Sequence, residues 1–344
     1  MSQWKNGCVI VASLCVVVGV CVWQTRGAAL WTPDYAANAT NNGYNASRSN
    51  RLLSAAILQL EQLDSLSASM TFSANFFGTN YRGEGKYREL SARRAASAAS
   101  RKPLETNFSL RATAYPRLDA KNTDQNATNQ EQAQESCDAL EIVCDCQRGA
   151  WWRYDSVLGE KNLKSINIEE LANSLAQLDD QEADLCLRNN GIDRACGMNG
   201  LPGLGGLAGT LKRLSAYYQF DPEVAAVISG GGVKSYKIVG KASAHYWNAI
   251  RKTLQTDEFT DDVLENIPEY VEAYFGVDWP FPYKIVYYTI IEKDKKRIRH
   301  EIFSVQYSDV KLNDPNISLE EFEYIQPQLN FERVNNDYLE ELTQ

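Results

Sequence analysis

Three clustered cysteines are the residues of this sequence whose type could most directly support metal or redox chemistry. Cys137, Cys144 and Cys146 follow the spacing C-x6-C-x-C, and the sequence contains only two histidines, His245 and His300. A structural zinc site takes four ligands and usually draws them from C-x2-C pairs. Because the spacing fits such a site poorly, we expect neither a metal nor any other cofactor.

A glycine-rich stretch matches a nucleotide-binding motif in its letters alone. Residues Gly203 to Ala208 read G-L-G-G-L-A, which satisfies the pattern G-x-G-x-x-A. That pattern binds a dinucleotide only where a strand leads directly into it, and the preceding segment Asn189–Pro202 reads as a polar loop. The sequence also lacks a G-x-x-x-x-G-K-[ST] motif. We therefore expect no nucleotide site.

The sequence offers little for acid–base or nucleophilic catalysis. An enzyme needs an activated nucleophile or a paired acid and base. His245 falls in a predicted helix and His300 at the start of a predicted strand, and both are interpreted as surface residues. Neither G-x-S-x-G nor H-E-x-x-H occurs. The prediction is a protein that is not an enzyme and has no catalytic residues.

The charge balance argues against a nucleic-acid partner. The 344 residues carry a formal net charge of −9, and the sequence pI is about 5.0. Nucleic-acid binding requires a basic patch that displaces the counterions of phosphates. The short basic runs Lys293–Arg299 and Arg93–Arg94 lie near acidic residues and are interpreted as solvated turns or faces.

The N-terminus has the pattern of an export signal. Lys5 is followed by Cys8–Trp23, sixteen residues without a charge, and then by Arg26 and three small residues. Sixteen residues are short for a membrane span, which needs roughly 20, so we expect a signal peptide over residues 1–29, cleaved after Ala29. The alternative is an uncleaved anchor through residues 8–23. Residues 30–50 are rich in Asn, Ala, Ser and Thr and are interpreted as a flexible tether.

Export makes disulfide bonds possible. Cys186 and Cys196 bracket part of a loop and could close it, which would leave one of the other three cysteines unpaired. The alternative of free or partly paired thiols stays open.

Periodicity divides the rest of the chain into helices and strands. Helices are predicted over Arg51–Leu66, Asn167–Leu178, Leu211–Tyr218, Ala244–Gln255 and Thr260–Phe275, the last interrupted near Pro268. Strands are predicted over Ser69–Phe77, Tyr81–Leu90, Phe108–Tyr115, Leu140–Cys146, Ala150–Ser156 and Lys234–Lys241. Residues 188–209 are predicted to be loop.

The last third of the chain is rich in apolar strands. Pro282–Ile291 is apolar on both faces, and Glu301–Val310, Glu321–Ile325 and Leu329–Val334 are predicted to follow as strands. A strand that is apolar on both faces is buried on both, or it faces a core on one side and a cavity on the other. These strands indicate a binding or carrier protein, with ordinary core burial as the alternative.

Consecutive strands joined by short turns favour antiparallel pairing. The economical architecture is α+β, with one antiparallel sheet that curls around helices and presents its concave, apolar face to them. A predicted hairpin with Trp151, Trp152 and Tyr154 in its second arm adds aromatic residues to this sheet. The two tryptophans face opposite sides of the strand, so at most one points inward.

Several motifs in this order resemble the outer-membrane lipoprotein carrier superfamily, the LolA/LolB-like proteins with their mycobacterial lipoprotein relatives. An amphipathic helix at Leu52–Leu66 leads into an aromatic strand over Met70–Phe76. Asp145–Asp155 matches a "dG..lW.YD" hairpin, Phe303–Pro327 matches "f.dv..n..i....F.y..P", and Val334–Leu342 loosely matches "v.D.T..yl..L".

The resemblance implies a half-open antiparallel barrel plugged by helices, with an apolar cavity for acyl chains, no cofactor and no catalysis. The resemblance covers roughly residues 51–342, and residues 51–344 are expected to form a single domain with insertions near 118–136, 179–209 and 244–279. An arginine near the first strands governs a closed state in the lipoprotein carrier itself, and Arg82 and Arg88 match it only by position.

The predicted function is that of an exported protein that binds lipid or an acylated lipoprotein in an apolar groove and takes part in its transport. The alternative is an interaction or scaffold domain of the cell envelope whose cavity is filled by its own helices. The expected location is the periplasm or cell envelope, tethered to the inner membrane if the N-terminal segment is retained. The residues expected to line the groove are Phe72, Phe76, Trp152, Tyr154, Tyr287, Phe303 and Tyr307.

Overall fold

The computed structural model describes residues 47–76, 79–91, 106–116, 138–145, 149–154, 162–177, 205–228, 232–254, 260–293, 295–322 and 331–336. The helices are α1 (Arg48–Gln62), α2 (Ile168–Gln177), α3 (Gly206–Tyr217), α4 (Ala244–Leu254) and α5 (Asp261–Leu264), with a 3-10 turn at Leu319–Phe322. The strands are β1 (Ser65–Phe76), β2 (Thr79–Ser91), β3 (Thr106–Pro116), β4 (Asp138–Asp145), β5 (Gly149–Tyr154), β6 (Asn162–Ile166), β7 (Tyr218–Phe220), β8 (Ala225–Ile228), β9 (Lys234–Ala242), β10 (Tyr270–Gly276), β11 (Pro282–Lys293), β12 (Lys296–Leu312) and β13 (Glu332–Arg333).

All of these strands belong to one curved, unclosed sheet, whose order is β13-β6-β5-β4-β3-β2-β1-β12-β11-β10-β9-β7, with β8 also paired to β9. Every pairing is antiparallel except that of β13 with β6. Two meanders, β1 to β6 and β9 to β12, are joined by pairing of β1 with β12. The α+β class and the half-open antiparallel sheet predicted from the sequence are confirmed.

Strand β1 shows why one face of the sheet is apolar. Its even-numbered positions from Leu66 to Ala74 are all apolar, whereas its odd-numbered positions from Ser65 to Ser73 are all serine or threonine. Because successive side chains point to opposite faces, one face of β1 turns to the helices and the other carries hydroxyls. We call the face that bears Leu66, Met70 and Ala74 the inner face.

Glycines let the sheet bend at β2. Gly83 and Gly85 lie on the inner face, opposite Phe72 and Met70 of β1. A Cβ at Gly83 would overlap the ring of Phe72 and the carbonyl of Thr113, and a Cβ at Gly85 would overlap the carbonyl of Arg111. Glycine inside a strand marks a bend or a close approach, so these two positions allow the first meander to curl toward the helices.

Helices α1, α3 and α4 cover part of the inner face. Leu53, Ala56 and Leu60 of α1 are buried, as the predicted stripe requires. They join Leu211 of α3 and Tyr246 of α4 in one apolar cluster with the inner-face residues of the sheet. An ion pair of 2.5 Å between the partly buried side chains of Lys212 and Glu61 links α3 and α1.

The outer face is covered locally near β2 to β4. Ile317 and Phe322, from the segment that follows β12, pack against Leu90 and Val143. Trp151, which is partly buried, packs against the same small cluster. The 3-10 turn therefore shields the outer side of the first meander.

One predicted element is wrong in a way that the sheet explains. The segment Thr260–Phe275 was expected to be helical, but only Asp261–Leu264 is a helix and Tyr270–Gly276 is strand β10. Val271, Ala273 and Phe275 alternate toward the inner face and are fully buried between β9 and β11. Because β9 and β11 both pair with this segment, tertiary context outweighs a local sequence pattern that is compatible with a helix.

Other boundaries also shift. Helix α1 ends at Gln62 rather than Leu66, because Ser65 and Leu66 already pair with β2. Helix α3 begins at Gly206, inside the segment that was predicted to be loop. The first two residues of the predicted strand Glu321–Ile325 instead form the end of the 3-10 turn, in which Phe322 is buried.

Several predictions fall outside the described residues. These are the N-terminal segment 1–29, most of the tether, the polar insert near 118–136, and Cys137, Cys146, Cys186 and Cys196. Within the described part of the chain, no helix is both long and apolar enough to span a bilayer. No group of three or more potential metal ligands is found among the described residues either.

Candidate functional site

Four of the residues predicted from the sequence meet on the inner face. The rings of Phe72 in β1 and Phe303 in β12 stack with centroids 6.1 Å apart, and Tyr287 in β11 lies 6.4 Å from Phe303. Tyr307 follows Phe303 by four residues on the same face of β12, and it pairs with Met70 of β1. Tyr287, Phe303 and Tyr307 are 0%, 3% and 7% exposed. Because the ring contacts run from β1 through β12 to β11, these three strands present one continuous aromatic surface.

The aromatic surface continues from the sheet to the helices. The ring of Tyr287 lies 6.2 Å from that of Tyr218 in β7, and Tyr218 lies 5.4 Å from Tyr246 in α4. Tyr246 in turn packs edge-on against Tyr217 at the end of α3. Aromatic pairs at these separations add to the free energy of area burial. The chain of rings thus fixes α3 and α4 against β11.

A second row of rings extends the inner face along the first meander. Tyr87 of β2 packs edge-on against Tyr307 at 5.9 Å, and Tyr307 packs against Phe281 at 5.7 Å. Phe281 is fully buried and stacks on Trp279. The inner face therefore carries aromatic side chains from β2 across to the turn before β11.

The side chains of the other three predicted residues, Phe76, Trp152 and Tyr154, are not described. The register of the backbone places position 152 opposite Ile142 and position 154 opposite Leu140. Ile142 and Leu140 belong to the inner cluster. Positions 152 and 154 therefore lie on the inner side, and position 151 lies on the outer side.

The inner face remains partly exposed near the end of the β1–β2 hairpin. Phe72 and Tyr81 both face inward, yet both are only partly buried by the described residues. Ala74, which pairs directly with Tyr81, is 6% exposed. This end of the aromatic surface is therefore less covered than the part around Tyr287 and Phe303.

A buried carboxylate lies on the same inner face, and the sequence analysis did not single it out. Glu89 of β2 accepts hydrogen bonds from the Tyr87 hydroxyl and from the backbone amide of Leu207 in α3. Burial raises the pKa of Glu89 to about 7, although these two hydrogen bonds act in the opposite direction. The signal available in the sequence was a glutamate at an inward position of an alternating strand.

This contact explains the glycine-rich motif. Gly205 and Gly206 have φ values of 82° and 61°, and a Cβ at Gly206 would overlap the carboxylate of Glu89. The first amides of a helix lack partners within the helix, and Glu89 provides an acceptor for one of them. The described part of that stretch, Gly205 to Ala208, thus forms a helix start whose Leu207 amide donates to the protein's own carboxylate.

A cation and an unpartnered hydroxyl occupy the interior near α3. Arg213 is 6% exposed and lies over the ring of Tyr217, 5.7 Å from its centroid. The hydroxyl of Tyr287 is buried and has no hydrogen-bond partner among the described residues. Burial raises the pKa of Tyr287, and the nearby Arg213 opposes that rise. The interior can therefore offer a hydrogen-bond donor to a polar group.

The outer face carries a separate charged cluster centred on Glu272 in β10. Both terminal nitrogens of Arg299 donate to Glu272, at 2.9 and 3.0 Å, and the Tyr274 hydroxyl donates at 2.8 Å. Burial alone would raise the pKa of Glu272, but these hydrogen bonds hold it below its ordinary value. The arrangement is a satisfied ion pair, which stabilises the second meander from outside.

Both histidines are partly buried rather than on the surface as predicted. His245 stacks on Tyr217 with ring centroids 5.3 Å apart. His300 pairs with Thr289 near the end of the β11–β12 hairpin. The two histidines lie on different elements, α4 and β12. Cys144, the one clustered cysteine that is described, is buried on the inner face of β4.

No family model and no curated protein matches this sequence. Among solved structures, it is similar to a DUF1329 family protein from Desulfovibrio piger (10% identity, 81% of this chain and 98% of the other, TM-score 0.29). It is also similar to LprF from Mycobacterium bovis (10% identity, 78% and 96% covered, TM-score 0.32). A third is an outer membrane lipoprotein-sorting protein domain from Vibrio parahaemolyticus (8% identity, 80% and 97% covered, TM-score 0.26).

At such identities and TM-scores, these likenesses carry no conclusion about this chain. What the inner face can bind follows from its own residues.

Proposed function

We propose that this chain is an exported, non-enzymatic protein that binds lipid or an acylated protein against the inner face of its half-open sheet. The observation that carries the proposal is the aromatic surface formed by Phe72, Phe303, Tyr287 and Tyr307, which is partly exposed at its Phe72 end. An acyl chain laid along this surface would gain about 0.8 kcal/mol for each buried CH₂ group.

The polar groups of the interior suggest how such a guest would be oriented. The hydroxyl of Tyr287 can donate a hydrogen bond to an ester or amide carbonyl, and among the described residues it has no acceptor of its own. Arg213 lies close enough to Tyr287 to affect its pKa. An acyl group whose carbonyl reaches this point would run its chain toward Phe72.

The wider organisation is part of the same proposal. Residues 51–344 form a single domain with insertions near 118–136, 179–209 and 244–279, and residues 1–29 direct export or retain the protein at the inner membrane. The site of action is then the periplasm or the cell envelope. The residues that line the groove include the four that meet on the inner face, together with positions 76, 152 and 154, whose backbone register turns inward.

A second candidate is a scaffold domain of the cell envelope. The observation that favours it is the contact between rings of the sheet and rings of the helices, since Tyr218 and Tyr246 already fill the space next to Tyr287. In that case the helices themselves occupy the hollow and no guest is held.

Native mass spectrometry of the purified full-length chain separates the two candidates. We expect adducts of lipid mass, or uptake of a palmitoylated peptide from detergent micelles. The variant Phe72→Asp should lose this binding, whereas Leu58→Asp, at an exposed position of α1 (56% exposed), should keep it. A wild-type chain that takes up neither probe would rule out the lipid-binding function and support the scaffold.

A further inference from the structure

The β11–β12 hairpin extends beyond both of its neighbours in the sheet. Pairing of β11 with β10 ends at Tyr288, and pairing of β12 with β1 ends at Phe303. The two strands continue to pair with each other as far as Lys293 and Lys296. We call the part that extends, residues 289–293 and 295–300, the arm. Its last residues, from Glu292 through Arg299, are exposed wherever they are described.

The arm is basic in an acidic protein. Residues 289–300 include five lysines and arginines and two acidic residues, whereas the whole chain has a net charge of −9. Arg299 is held by Glu272, but Lys293, Lys295, Lys296 and Arg297 form no ion pair with a described residue. The positive charge at the end of the arm is therefore available to a partner.

The mutual repulsion of two lysines in the arm opposes folding of the hairpin. Lys293 and Lys296 lie directly opposite each other across the hairpin, and like charges in that relationship destabilise a pair of strands. Lys295 adds a third lysine at the turn, with φ of 60°. A concentration of charge that opposes the hairpin indicates a role outside the fold.

An apolar pair lies behind the lysines on the same side of the arm. Ile291 is directly opposite Ile298, which is 42% exposed. Positions two residues apart on a strand share a face, so the Ile291–Ile298 pair and the Lys293–Lys296 pair point the same way. That face continues along β11 to Tyr287, whose ring belongs to the inner face.

We propose that the arm docks on the surface of a lipid bilayer that contains anionic phospholipid. Lysines near such a surface are attracted by its negative potential, and an adjacent apolar pair can enter the boundary between headgroups and acyl chains. Docking would place the bilayer at one end of the inner face. The inference rests on the arm alone and does not require that the inner face hold lipid.

The test measures binding of the full-length chain to vesicles of phosphatidylcholine with and without about 30% phosphatidylglycerol, an anionic lipid that gives the vesicle surface a negative potential. We expect tighter binding to the anionic vesicles, and we expect it to weaken as salt is raised, because exposed charges are screened. Lys293→Gln/Lys296→Gln should weaken it about 25-fold, which corresponds to roughly fivefold for each lysine.

A matched control changes two exposed lysines elsewhere, Lys86→Gln/Lys234→Gln. The control should bind the anionic vesicles within about twofold of the wild type, because its lysines lie far along the sheet from the arm. Equal losses in the two double variants, or equal binding of the wild type to both vesicle types, would overturn the proposal. Complete displacement of the vesicles by a soluble anionic protein used as competitor would also overturn it.

A further variant separates insertion from attraction. Ile298→Ser should reduce affinity for anionic vesicles severalfold while leaving the salt dependence unchanged, because the charges are intact. Uptake of palmitoylated peptide from micelles should be the same in Lys293→Gln/Lys296→Gln as in the wild type. If uptake is absent in both but vesicle binding still depends on the lysines, the arm docks on membranes and the lipid-binding function is wrong.

Discussion

The carboxylate of Glu89 accepts a hydrogen bond from the backbone amide of Leu207, the second residue of helix α3. This contact joins the first meander to the helix that covers it, across 118 residues of sequence. Glu89 is 5% exposed, and no cation is among the groups that affect its pKa. The contact between α3 and the sheet therefore includes one buried carboxyl group whose pKa is raised by burial.

The raised pKa of Glu89 predicts how stability changes with pH. In the folded state its pKa is about 7, against about 4.5 when it is exposed. Below pH 4.5 the Glu89 carboxyl is protonated in both the folded and the unfolded state. Between pH 4.5 and about 7 it keeps its proton in the folded state and loses it in the unfolded state. The free energy of unfolding should therefore fall as pH rises through this window, by up to about 3 kcal/mol.

Urea denaturation at pH 5 and pH 8 checks this prediction. Glu89→Gln should remove most of the difference between the two pH values, because glutamine does not titrate. Glu84→Gln, at an exposed position of the same strand, should leave the difference unchanged. Identical pH dependence in all three proteins would contradict the assignment.

Two of the three described glycines with left-handed backbone, Gly206 and Gly232, offer a second test of the same contact. Gly206→Ala places a methyl group against the Glu89 carboxylate, whereas Gly232→Ala, with φ of 80°, meets nothing within 4 Å. Both substitutions incur the conformational penalty of about 1–2 kcal/mol. Only Gly206→Ala should exceed it, by a further ~1 kcal/mol or more, in thermal or chemical denaturation. Equal losses would show that Glu89 moves aside freely.

Two buried tyrosines of the aromatic surface should respond in opposite ways to loss of the hydroxyl. The Tyr218 hydroxyl donates to the carbonyl of Pro268 at 3.3 Å, so Tyr218→Phe should lower the free energy of unfolding by about 1 kcal/mol. The Tyr287 hydroxyl has no partner among the described residues, so Tyr287→Phe should be neutral or stabilising by up to about 1 kcal/mol.

The same pair of variants bears on the proposed ligand. If the Tyr287 hydroxyl donates to the carbonyl of an acyl group, Tyr287→Phe should weaken uptake of palmitoylated peptide by about tenfold, which is roughly one hydrogen bond. Destabilisation of the ligand-free protein by Tyr287→Phe would instead reveal an acceptor for that hydroxyl within the chain.

The ion pair on the outer face supports a fourth prediction. In Arg299→Gln, the buried carboxylate of Glu272 (4% exposed) loses both arginine hydrogen bonds and keeps those from the Tyr274 hydroxyl and the more distant Lys237 ammonium. We expect the free energy of unfolding at pH 7 to fall by about 1–2 kcal/mol, a value reduced because Arg299 is itself exposed. Arg297→Gln, at a neighbouring exposed position, should have almost no effect. If Arg297→Gln lowered the free energy of unfolding as much as Arg299→Gln does, the effect would come from the net charge of the hairpin and not from the ion pair with Glu272.

Acid should weaken the same pair. The hydrogen bonds of Arg299 and Tyr274 hold the pKa of Glu272 below its ordinary value despite burial. Its contribution is therefore complete above the ordinary carboxyl pKa and is lost as pH falls through the lowered value. The difference in stability between Arg299→Gln and the wild type should shrink in acid, as unfolding at pH 3 and pH 7 would reveal.

Local pattern was enough for much of the fold. In β1, strict alternation of apolar and hydroxyl side chains predicts a strand with one buried face, and in α1 the Leu53, Ala56 and Leu60 stripe predicts a helix on that face. The predicted groove residues Phe72, Tyr287 and Phe303 come together because each is the inward residue of its strand. Such patterns are local, and short-range periodicity is sufficient to reveal them.

Where the prediction was wrong, distant neighbours decided the structure. Tyr270–Gly276 is a strand because β9 and β11 provide hydrogen bonds on both of its sides, and its sequence alone is compatible with a helix. Gly206 begins a helix because Glu89, on another strand, accepts from that helix start. Neither partner is adjacent in sequence, so no window of local pattern contains the information.

By itself, the sequence determined the alternation of the strands, the apolar stripes of the helices and the acidic balance of the whole, since each is a property of residues within a few positions of one another. Only the tertiary structure decided that β1 pairs with β12, that α3 starts on a buried carboxylate, and that Lys293 faces Lys296 on an arm beyond the sheet edge. Those relationships depend on which strands become neighbours, and many registers satisfy the same local pattern until the whole inner face is buried at once.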